Sequence, residues 1–489
     1  MSDALLQPEE RVLSTLEADG SRRWLSPRLS KGKWWKRRRN FAYLLIAFFL
    51  TLPWVRIGGE PIVLLDIANR QFHILGQTFL PTDTVLLAIL VLMIGVGVFF
   101  FTAVFGRVFC GWFCPHSVYL EFVYRPIERF FTGRVGVGGK PTKEVPGWKK
   151  LAMYVVFLMI SVHLAQTFVS YFVGAYQLSE WIWFSWPWEH PVAFGVVAVC
   201  TAWIMWDMAF WREQMCIVGC PYGRFQSVML DRQSSIVTYD PQRGEPRGKP
   251  RRAKKGSDTP LPVLGDCIDC NMCVHVCPTG IDIRDGLQLE CIHCTQCIDA
   301  CDTVMDQVKR PRGLIRYASQ AEVDGEPKRL LRPRVVLYPA VLCILAGLFG
   351  FALFSQPTTD LTVLRGMGRP FAVLEAGEFA GKVENQLQVK LVNRTPEPRT
   401  YTIAVQTLDA DGQPADPLDA RRTNDDAITL ATSEIHTEPI RLLIDPMTYD
   451  RGRLNAVVVV TDDLGDTVRE DVLLRGPATL PSPNTDTDS

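Results

Sequence analysis

Eight of the fourteen cysteines lie between positions 267 and 301 and form two runs with the same spacing. The runs are Cys267-x2-Cys270-x2-Cys273-x3-Cys277-Pro278 and Cys291-x2-Cys294-x2-Cys297-x3-Cys301. Three thiolates on a tight loop and a fourth farther along the chain suit an iron–sulfur cube, and in two-cube proteins the fourth cysteine of each run serves the other cube. The spacing therefore predicts two [4Fe–4S] clusters. Their ligand sets are Cys267, Cys270, Cys273 and Cys301 for one, and Cys277, Cys291, Cys294 and Cys297 for the other.

Zinc ribbons and redox-active C-x2-C pairs are the alternatives for these cysteines. Two complete runs in tandem argue against zinc, although Asp302, and not proline, follows Cys301. His275 and His293 lie inside the loops. Because the cysteines already complete both sites, we expect the histidines to have surface or supporting roles.

Four further cysteines form two C-x3-C-P motifs, each at the end of an apolar segment. The motifs are Cys110-Gly-Trp-Phe-Cys114-Pro115 and Cys216-Ile-Val-Gly-Cys220-Pro221. On an α-helix the i,i+4 spacing puts both sulfurs on one face. Since the motifs occupy equivalent places in two similar halves, we interpret the halves as a parallel repeat that brings the pairs face to face. Four soft thiolates suit Cu(I), and a redox dithiol relay is the alternative.

Cys110, Cys114, Cys216 and Cys220 are thus the candidate catalytic and copper-binding residues. Two histidines are further metal-ligand candidates. His163 lies in the middle of an apolar segment, where it could bind copper or haem, hydrogen-bond a quinone, or bond to a neighbouring helix. His116 directly follows the first motif.

The elements that position these residues are membrane spans. A span needs about 20 apolar residues, and five segments qualify. They are 41–57, 84–105, 151–173, 192–211 and 335–355. The first is the weakest, because Pro53 interrupts it and Arg56 ends it.

Lys and Arg in the loops predict the orientation, because they are retained on the cytoplasmic side. Basic residues are frequent in 31–39, 106–150 and 212–334 and scarce in 58–83 and 174–191. The sequence therefore predicts a cytoplasmic N-terminus and cysteine-rich segment, and a C-terminus on the other side of the membrane.

The predicted fold is a multi-domain membrane protein with an α-helical bundle of five spans, a two-cluster ferredoxin-like α+β domain and a C-terminal β-sandwich. Alternating segments such as Leu387-Gln-Val-Lys-Leu-Val indicate the strands. The domains are a cytoplasmic tail at 1–40, a four-span domain at 41–231, a basic flexible linker at 232–262, the ferredoxin-like domain at 263–318, the fifth span at 335–355, the sandwich at 360–476 and a disordered tail at 477–489. The 52 basic and 52 acidic residues balance, so the total charge says nothing about a nucleic-acid partner, and none is expected.

In this combination the paired C-x3-C-P motifs, the eight ferredoxin cysteines, the five spans and the C-terminal domain resemble the CcoG family, also called RdxA or FixG. The resemblance covers about residues 30–475. It implies an immunoglobulin-like fold for the sandwich and a place in the bacterial cytoplasmic membrane, with the C-terminal domain periplasmic. It also implies a cupric reductase that converts Cu(II) to Cu(I) for assembly of the cbb-type cytochrome c oxidase.

The partners implied by the resemblance are a cytoplasmic electron donor, copper-handling proteins and assembly factors of that oxidase, and a homodimer is compatible with the sequence. Two other functions stay open. One is a quinol-linked electron-transfer subunit that feeds a periplasmic reductase. The other is a non-enzymatic copper-binding assembly factor whose clusters are structural.

Overall fold

The computed structural model separates into two compact units, Met1–Gly350 and Phe351–Ser489. The described residues are 14–17, 21–57, 60–68, 71–74, 77–79, 83–133, 144–249, 263–327, 329, 331–355, 357–366, 368–375, 378–395, 397–409, 413–422, 427–431 and 434–477. The start of the predicted N-terminal tail, the second half of the predicted linker and nearly all of the predicted C-terminal tail lie outside them.

Helices dominate the first unit. In chain order they are α1 (Lys33–Thr51), α2 (Thr84–Phe105), α3 (Pro115–Tyr119), α4 (Arg125–Thr132), α5 (Gly147–Val173), α6 (Ala175–Phe184), α7 (Pro191–Trp206), α8 (Pro221–Met229), α9 (Pro241–Gly244), α10 (Met272–His275), α11 (Gln296–Gln307), α12 (Gln320–Val323) and α13 (Pro333–Phe354). Short strands complete this unit: β1 (Arg56–Ile57), β2 (Glu60–Pro61), β3 (Val63–Asp66), β4 (Gln71–Ile74), β5 (Gln77–Phe79), β6 (Ile236–Tyr239) and β7 (Ile315–Ala318).

Among the residues that the structure describes, four helical segments are long and apolar enough to cross a bilayer. They are Thr84–Phe105, Gly147–Val173, Pro191–Trp211 and Pro333–Phe354, with mean hydropathies of 2.9, 1.8, 1.7 and 2.3. They coincide with the second to fifth predicted spans. Most of their side chains face outward: at most 39% of the residues in any of these windows are buried within the protein. Apolar helices with outward-facing apolar side chains are what lipid solvates, and this chain is a membrane protein.

The first predicted span differs from the other four. α1 begins at Lys33, inside the predicted tail, and five of its first seven residues are Lys or Arg, so the helix as a whole does not meet the criterion for a span. Pro53 follows its end at Thr51, as expected of a residue that cannot continue a helix. The far end of α1 nevertheless lies beside the far end of α5, where the Tyr171 hydroxyl donates to the Phe49 carbonyl at 2.8 Å.

Each C-x3-C-P motif follows a break in the preceding helix. α2 ends at Gly106, which has φ +62° and whose added Cβ would lie 2.6 Å from the Ser235 carbonyl oxygen. In the second half the chain turns at Arg212, which has φ +52°. After each break comes a π-helical turn, Phe109–Phe113 in the first half and Met215–Gly219 in the second.

The cysteine geometry therefore differs from the predicted α-helical face. The first cysteine of each motif lies in the π-helical turn, whereas Cys114 and Cys220 are extended, with ψ 122° and 110°, and precede the next helix. The reason is the proline that follows, because it disfavours helical backbone for the residue before it. The same local structure in both halves agrees with the internal repeat. π-helical turns occur often at functional sites.

The cysteine-rich domain extends beyond its predicted start. β6 pairs with β7 in antiparallel register, from Ile236 opposite Ala318 to Tyr239 opposite Ile315. Val237 and Tyr239 are buried in the same apolar cluster as the cysteines of this domain. The prediction of a flexible linker is therefore wrong for residues 232–249, because the alternating segment Ile236–Tyr239 forms an edge of the domain.

The second unit contains two antiparallel sheets. Its strands are β8 (Thr359–Arg365), β9 (Ala372–Val373), β10 (Val383–Asn393), β11 (Arg399–Leu408), β12 (Pro414–Pro417), β13 (Asp419–Arg422), β14 (Ile428–Leu430), β15 (Ile435–Ile444), β16 (Arg453–Asp462) and β17 (Thr467–Arg475). One sheet has the order β13-β15-β10-β8, with β9 beside β10, and the other β12-β11-β16-β17, with β14 beside β11. Buried side chains such as Val389, Val405 and Val458 from both sheets form one core. The predicted strands are confirmed.

Candidate iron–sulfur and thiol site

Two cavities in the first unit are lined by cysteines. The lining of one includes Cys267, Cys270, Cys273 and Cys301. The lining of the other includes Cys277, Cys291, Cys294 and Cys297, together with Cys273. Each has about 350 Å³ of space free of protein atoms, including the part that is open to solvent. The grouping is the same as the one assigned from the spacing, with Cys301 serving the loop of the first run and Cys277 that of the second.

The donor set of the cavities fits a [4Fe–4S] cluster in each. All eight cysteines are free thiols, and apolar side chains such as Ile281 and Leu314 fill the surrounding walls. In the described part of the chain, no three His, Cys, Asp or Glu side chains converge as a site for one metal ion would require. This suits a cube, because each of its thiolates binds a different iron. Burial raises the pKa of the Cys291 thiol to about 12, so binding of iron releases protons.

The two cysteine loops have the same backbone geometry. In the first loop the residues on either side of Cys270, Asp269 and Asn271, have φ +52° and +58°. In the second loop the residues on either side of Cys294, His293 and Thr295, have φ +53° and +66°. Left-handed residues flanking the central cysteine bend each loop around its cavity. Spacing predicted a tight loop, and this repeated conformation is how the chain forms it.

Replacing Cys297 by alanine tests the assignment of cysteines to cavities. We expect Cys297→Ala to lose one cluster and keep the other, because Cys267, Cys270, Cys273 and Cys301 line a separate cavity. Anaerobically purified protein should fall from about eight to about four iron atoms per chain. Cys343→Ala, in α13, is the control and should keep all of its iron. Loss of all iron, or of none, from Cys297→Ala would contradict the assignment.

Three of the four cysteines in the C-x3-C-P motifs lie together, beside the second cavity. Cys110 is buried in a cluster with Ile292 and Cys294, and Cys216 packs against it. The Cys110 thiol donates to Gln226 Oε1 at 3.0 Å. Burial raises the pKa of Cys110 to about 12; Arg107 opposes this rise, and the neighbouring Cys114 and Cys216 add to it. The Cys220 thiol forms no hydrogen bond among the described residues.

His116 lies at the edge of this thiol group and is held by two hydrogen bonds. Its Nδ1 is 2.8 Å from Asp207 Oδ2, and its Nε2 is 2.9 Å from the Arg212 carbonyl oxygen. Burial lowers the pKa of His116, but the Asp207 hydrogen bond and the neighbouring Cys216 outweigh it and raise the pKa well above its usual value. His116 is therefore close to Cys216, with its ring oriented by α7 and the turn that follows.

The first motif and the second ferredoxin loop approach each other through their backbones. A Cβ added to Gly111 would lie 2.5 Å from the Ile292 carbonyl oxygen and 3.0 Å from that of His293. The Arg107 amide donates to His293 Nδ1 at 3.1 Å. Only glycine permits this approach at position 111. The membrane half that carries Cys110 is therefore packed directly on the loop that carries Cys291 and Cys294.

Buried ion pairs join the two membrane halves near the same place. Arg125 pairs with Glu121 and with Glu213, at 3.2 Å for the latter, and its side chain is 2% exposed. Arg212 pairs with Glu128 at 2.8 Å. Each of these buried charges thus has a partner of opposite sign.

Removing one of these charges should destabilise the protein strongly. Arg125→Met leaves Glu121 and Glu213 without this partner, and breaking a buried ion pair typically costs about 3–5 kcal/mol. We expect a clearly lower thermal unfolding midpoint in detergent. The control is Arg232→Met, whose ion pairs with Asp324 and Glu326 are exposed and should matter little. Equal midpoints for the two variants would contradict a structural role for the buried pairs.

Other candidates from the sequence lie elsewhere. The His163 side chain is exposed on the surface of α5 and belongs to no group of metal-ligating side chains in the part of the chain that the structure describes. Cys343 is exposed on α13, and Cys200 is partly buried on α7. Sequence reasoning missed Arg38, Arg107 and Gln226. Arg38 belongs to the basic run used for orientation, and the sequence carries no signal that it is buried.

Comparison with protein families accounts for most of the chain. A model described as a 4Fe-4S dicluster domain matches residues 211–320, and one described as a 4Fe-4S binding domain matches residues 87–136. A model described as the IG-like fold at the C-terminus of FixG matches residues 349–477. The first two matched ranges include both C-x3-C-P motifs. The fold and site thus define a membrane-bound iron–sulfur protein of the electron-transfer type, with a C-terminal immunoglobulin-like domain.

Individual relatives identify the family of this chain more narrowly. The chain is 33% identical over 434 residues to the nitrogen fixation protein FixG of Rhizobium meliloti, covering 80% of each chain. It is 35% identical over 400 residues to protein RdxA of Cereibacter sphaeroides, covering 78% of this chain and 81% of RdxA. Protein RdxB of the same organism is 35% identical over 407 residues, with 78% and 82% coverage. The chain belongs to the FixG/RdxA family.

Proposed function

We propose that this protein passes single electrons from its iron–sulfur sites to Cu(II) at the thiols of the C-x3-C-P motifs, and so produces Cu(I) for maturation of a cbb-type cytochrome c oxidase. The observation that supports this most is the packing of Cys110 on Ile292 and Cys294. When bound, the iron–sulfur clusters supply one-electron carriers of low reduction potential. The packed side chains of Cys110, Ile292 and Cys294 are all that separates an electron at the second iron–sulfur site from the thiols of the C-x3-C-P motifs.

The thiol group provides suitable chemistry for the substrate ion. Soft thiolates favour Cu(I), so ligation by Cys110, Cys114 and Cys216 would stabilise the product of the reduction. The described residues contain no group of three metal ligands around one point. We therefore propose that copper is held by two thiolates at a time, with His116 and Asp207 fixing the environment of Cys216.

We also propose that α1 is a fifth span and that the cysteine-rich domain is cytoplasmic. The contact between Phe49 and Tyr171 supports the span, because it places the ends of α1 and α5 at the same level. The asymmetry of Lys and Arg among the loops supports the orientation. An odd number of spans then carries the C-terminal domain into the periplasm of the bacterial cell.

A groove between α5 and α7 favours a second candidate function, electron transfer linked to quinol. Its walls are apolar and include Leu158, Met205 and Trp24. Thr201 lines it, and its hydroxyl is buried and has no hydrogen-bond partner among the described residues. A quinone ring needs an apolar slot with such a polar group. In this function a periplasmic reductase would be the final acceptor.

One experiment separates these functions. Purified protein in lipid vesicles is supplied anaerobically with either a reduced low-potential ferredoxin or a quinol, and Cu(I) is measured with a Cu(I)-specific dye. Repeated Cu(II) turnover with the ferredoxin, slowed about 100-fold by Cys216→Ser, is the expected result. Cluster reduction by quinol, sensitive to Thr201→Val, would favour the second function. Copper binding with neither Cu(II) turnover nor cluster reduction by quinol would contradict both and leave a non-enzymatic copper-binding factor.

A further inference from the structure

Two buried guanidinium groups lie beside the cavity that is lined by Cys277, Cys291, Cys294 and Cys297. The side chains of Arg38 and Arg107 rank among the largest fully buried ones, with relative exposures of 1% and 2%. Within the described residues neither forms an ion pair. The Arg38 Nη1 and Nη2 atoms are buried and have no hydrogen-bond partner there. Isolated buried cations are costly, so a negative group nearby is the expected compensation.

Both cations are bonded to the backbone around this cavity. Arg38 donates from Nε to the Gly111 carbonyl, beside the second ferredoxin loop. Arg107 donates to the Leu289 carbonyl, two residues before Cys291. A carboxylate, Glu121, also acts on Cys294, and it is itself paired with Arg125. Two cations and one paired carboxylate therefore lie near this cavity.

His293 adds a hydrogen-bond donor to the same cavity. Its Nδ1 accepts from the Arg107 amide, so the proton of the neutral ring is on Nε2. That N–H is buried and without a partner among the described residues, and the ring lines the cavity. Because this N–H donor is on the cavity wall, the acceptor within its reach is a sulfur atom of a cluster bound in the cavity.

The other cavity has a different charge environment. Arg284 lies beside Cys273, but it is paired with Asp282 and Asp269, at 2.5 and 2.6 Å. Asp302 adds a further negative charge close to Cys301. Cys270 is exposed to solvent. Carboxylates thus outnumber the Arg284 cation beside this cavity.

We propose that Arg38 and Arg107, together with the His293 N–H, raise the reduction potential of the site at Cys277, Cys291, Cys294 and Cys297 above that of the site at Cys267, Cys270, Cys273 and Cys301. Net charge and hydrogen bonds to sulfur are the main determinants of the potential of an iron–sulfur cluster. A single electron on the protein is then held next to Cys110, and not at the exposed site. Arg38 and Arg107 are positioning residues for electron transfer. This proposal requires the iron–sulfur clusters but does not require copper.

A redox titration with dithionite, monitored by electron paramagnetic resonance, tests this proposal in the absence of copper. The unmodified protein should reduce in two one-electron waves. Arg38→Gln should lower the midpoint of the upper wave and leave the lower one unchanged. We expect at least a tenfold fall in the equilibrium constant for that reduction, or about 59 mV for one electron. Arg38→Lys, which keeps the positive charge, should retain most of the upper midpoint.

Arg284→Gln is the matched variant for the other site and should shift only the lower wave. Two equal midpoints in the unmodified protein would overturn the proposal, and this measurement does not depend on any variant folding. A shift of the lower wave by Arg38→Gln, or no shift of either wave in protein with full iron content, would also overturn it. Because no copper is present, these outcomes leave the proposed cupric reductase activity to be judged separately.

Discussion

Cys216→Ser should reduce the rate of Cu(II) reduction by about 100-fold, equivalent to about 2.7 kcal/mol of activation free energy, while the iron content stays unchanged. Cys216 packs against Cys110 and lies next to Cys114 and His116, so its thiol is central to the group. The hydroxyl of serine is a hard donor and binds Cu(I) poorly. The cavities that hold the clusters do not include this residue among their lining cysteines.

Comparison with Cys220, the second cysteine of the same motif, makes this prediction specific. Cys220→Ser should reduce the rate less than Cys216→Ser, because the Cys220 thiol makes no hydrogen bond in the described structure, and the residue is the N-cap that precedes α8. Cys200→Ser, in α7, should leave the rate unchanged. The measurement is Cu(I) formation by reduced protein with the iron content checked for each variant. A Cys216→Ser variant with full iron and an unchanged rate would remove the thiol group from the mechanism.

Gly111→Ala should uncouple the first motif from the second ferredoxin loop. The added Cβ would meet the Ile292 and His293 carbonyls, both backbone atoms that cannot rotate away. Overpacking of this kind costs about 1–3 kcal/mol, and here it separates Cys110 from the Cys291–Cys294 loop. We expect a lower thermal midpoint and a copper-reduction rate at least about tenfold lower, which corresponds to about 1.4 kcal/mol.

The control for Gly111→Ala is Gly97→Ala in α2. A Cβ at Gly97 meets nothing within 4 Å, so this variant changes helix composition without a clash. It should match the unmodified protein in thermal midpoint, iron content and rate. If Gly111→Ala behaved in the same way as Gly97→Ala, the close backbone contact would have no part in electron transfer.

The sequence alone could predict the features that depend on local spacing. The eight cysteines of the two runs group into two cavities as their spacing indicates, since each loop must wrap around its own site. Long apolar runs predicted α2, α5, α7 and α13, and period-two alternation predicted strands such as β10 and β16.

Features that depend on tertiary contacts were not predictable. The i,i+4 spacing suggested an α-helical face for each C-x3-C-P motif, but Pro115 and Pro221 place the second cysteine outside the helix. Arg38 belongs to a basic run whose composition indicates only the side of the membrane. Its burial arises because α1 packs against the first motif, where it bonds to the Gly111 carbonyl. Long-range packing, and not local pattern, therefore brings the thiols, the arginines and the second cavity together.

A single-turnover experiment tests the central claim most directly. Protein is reduced anaerobically, freed of excess reductant and mixed with a limiting amount of Cu(II). Cluster absorbance and Cu(I) are then followed together in a rapid-mixing instrument. We expect one cluster electron to disappear for each Cu(I) that forms, at the same rate, and both changes to be about 100-fold slower in Cys216→Ser. Cu(I) formation without reoxidation of the clusters, or clusters that stay reduced in the presence of Cu(II), would contradict it.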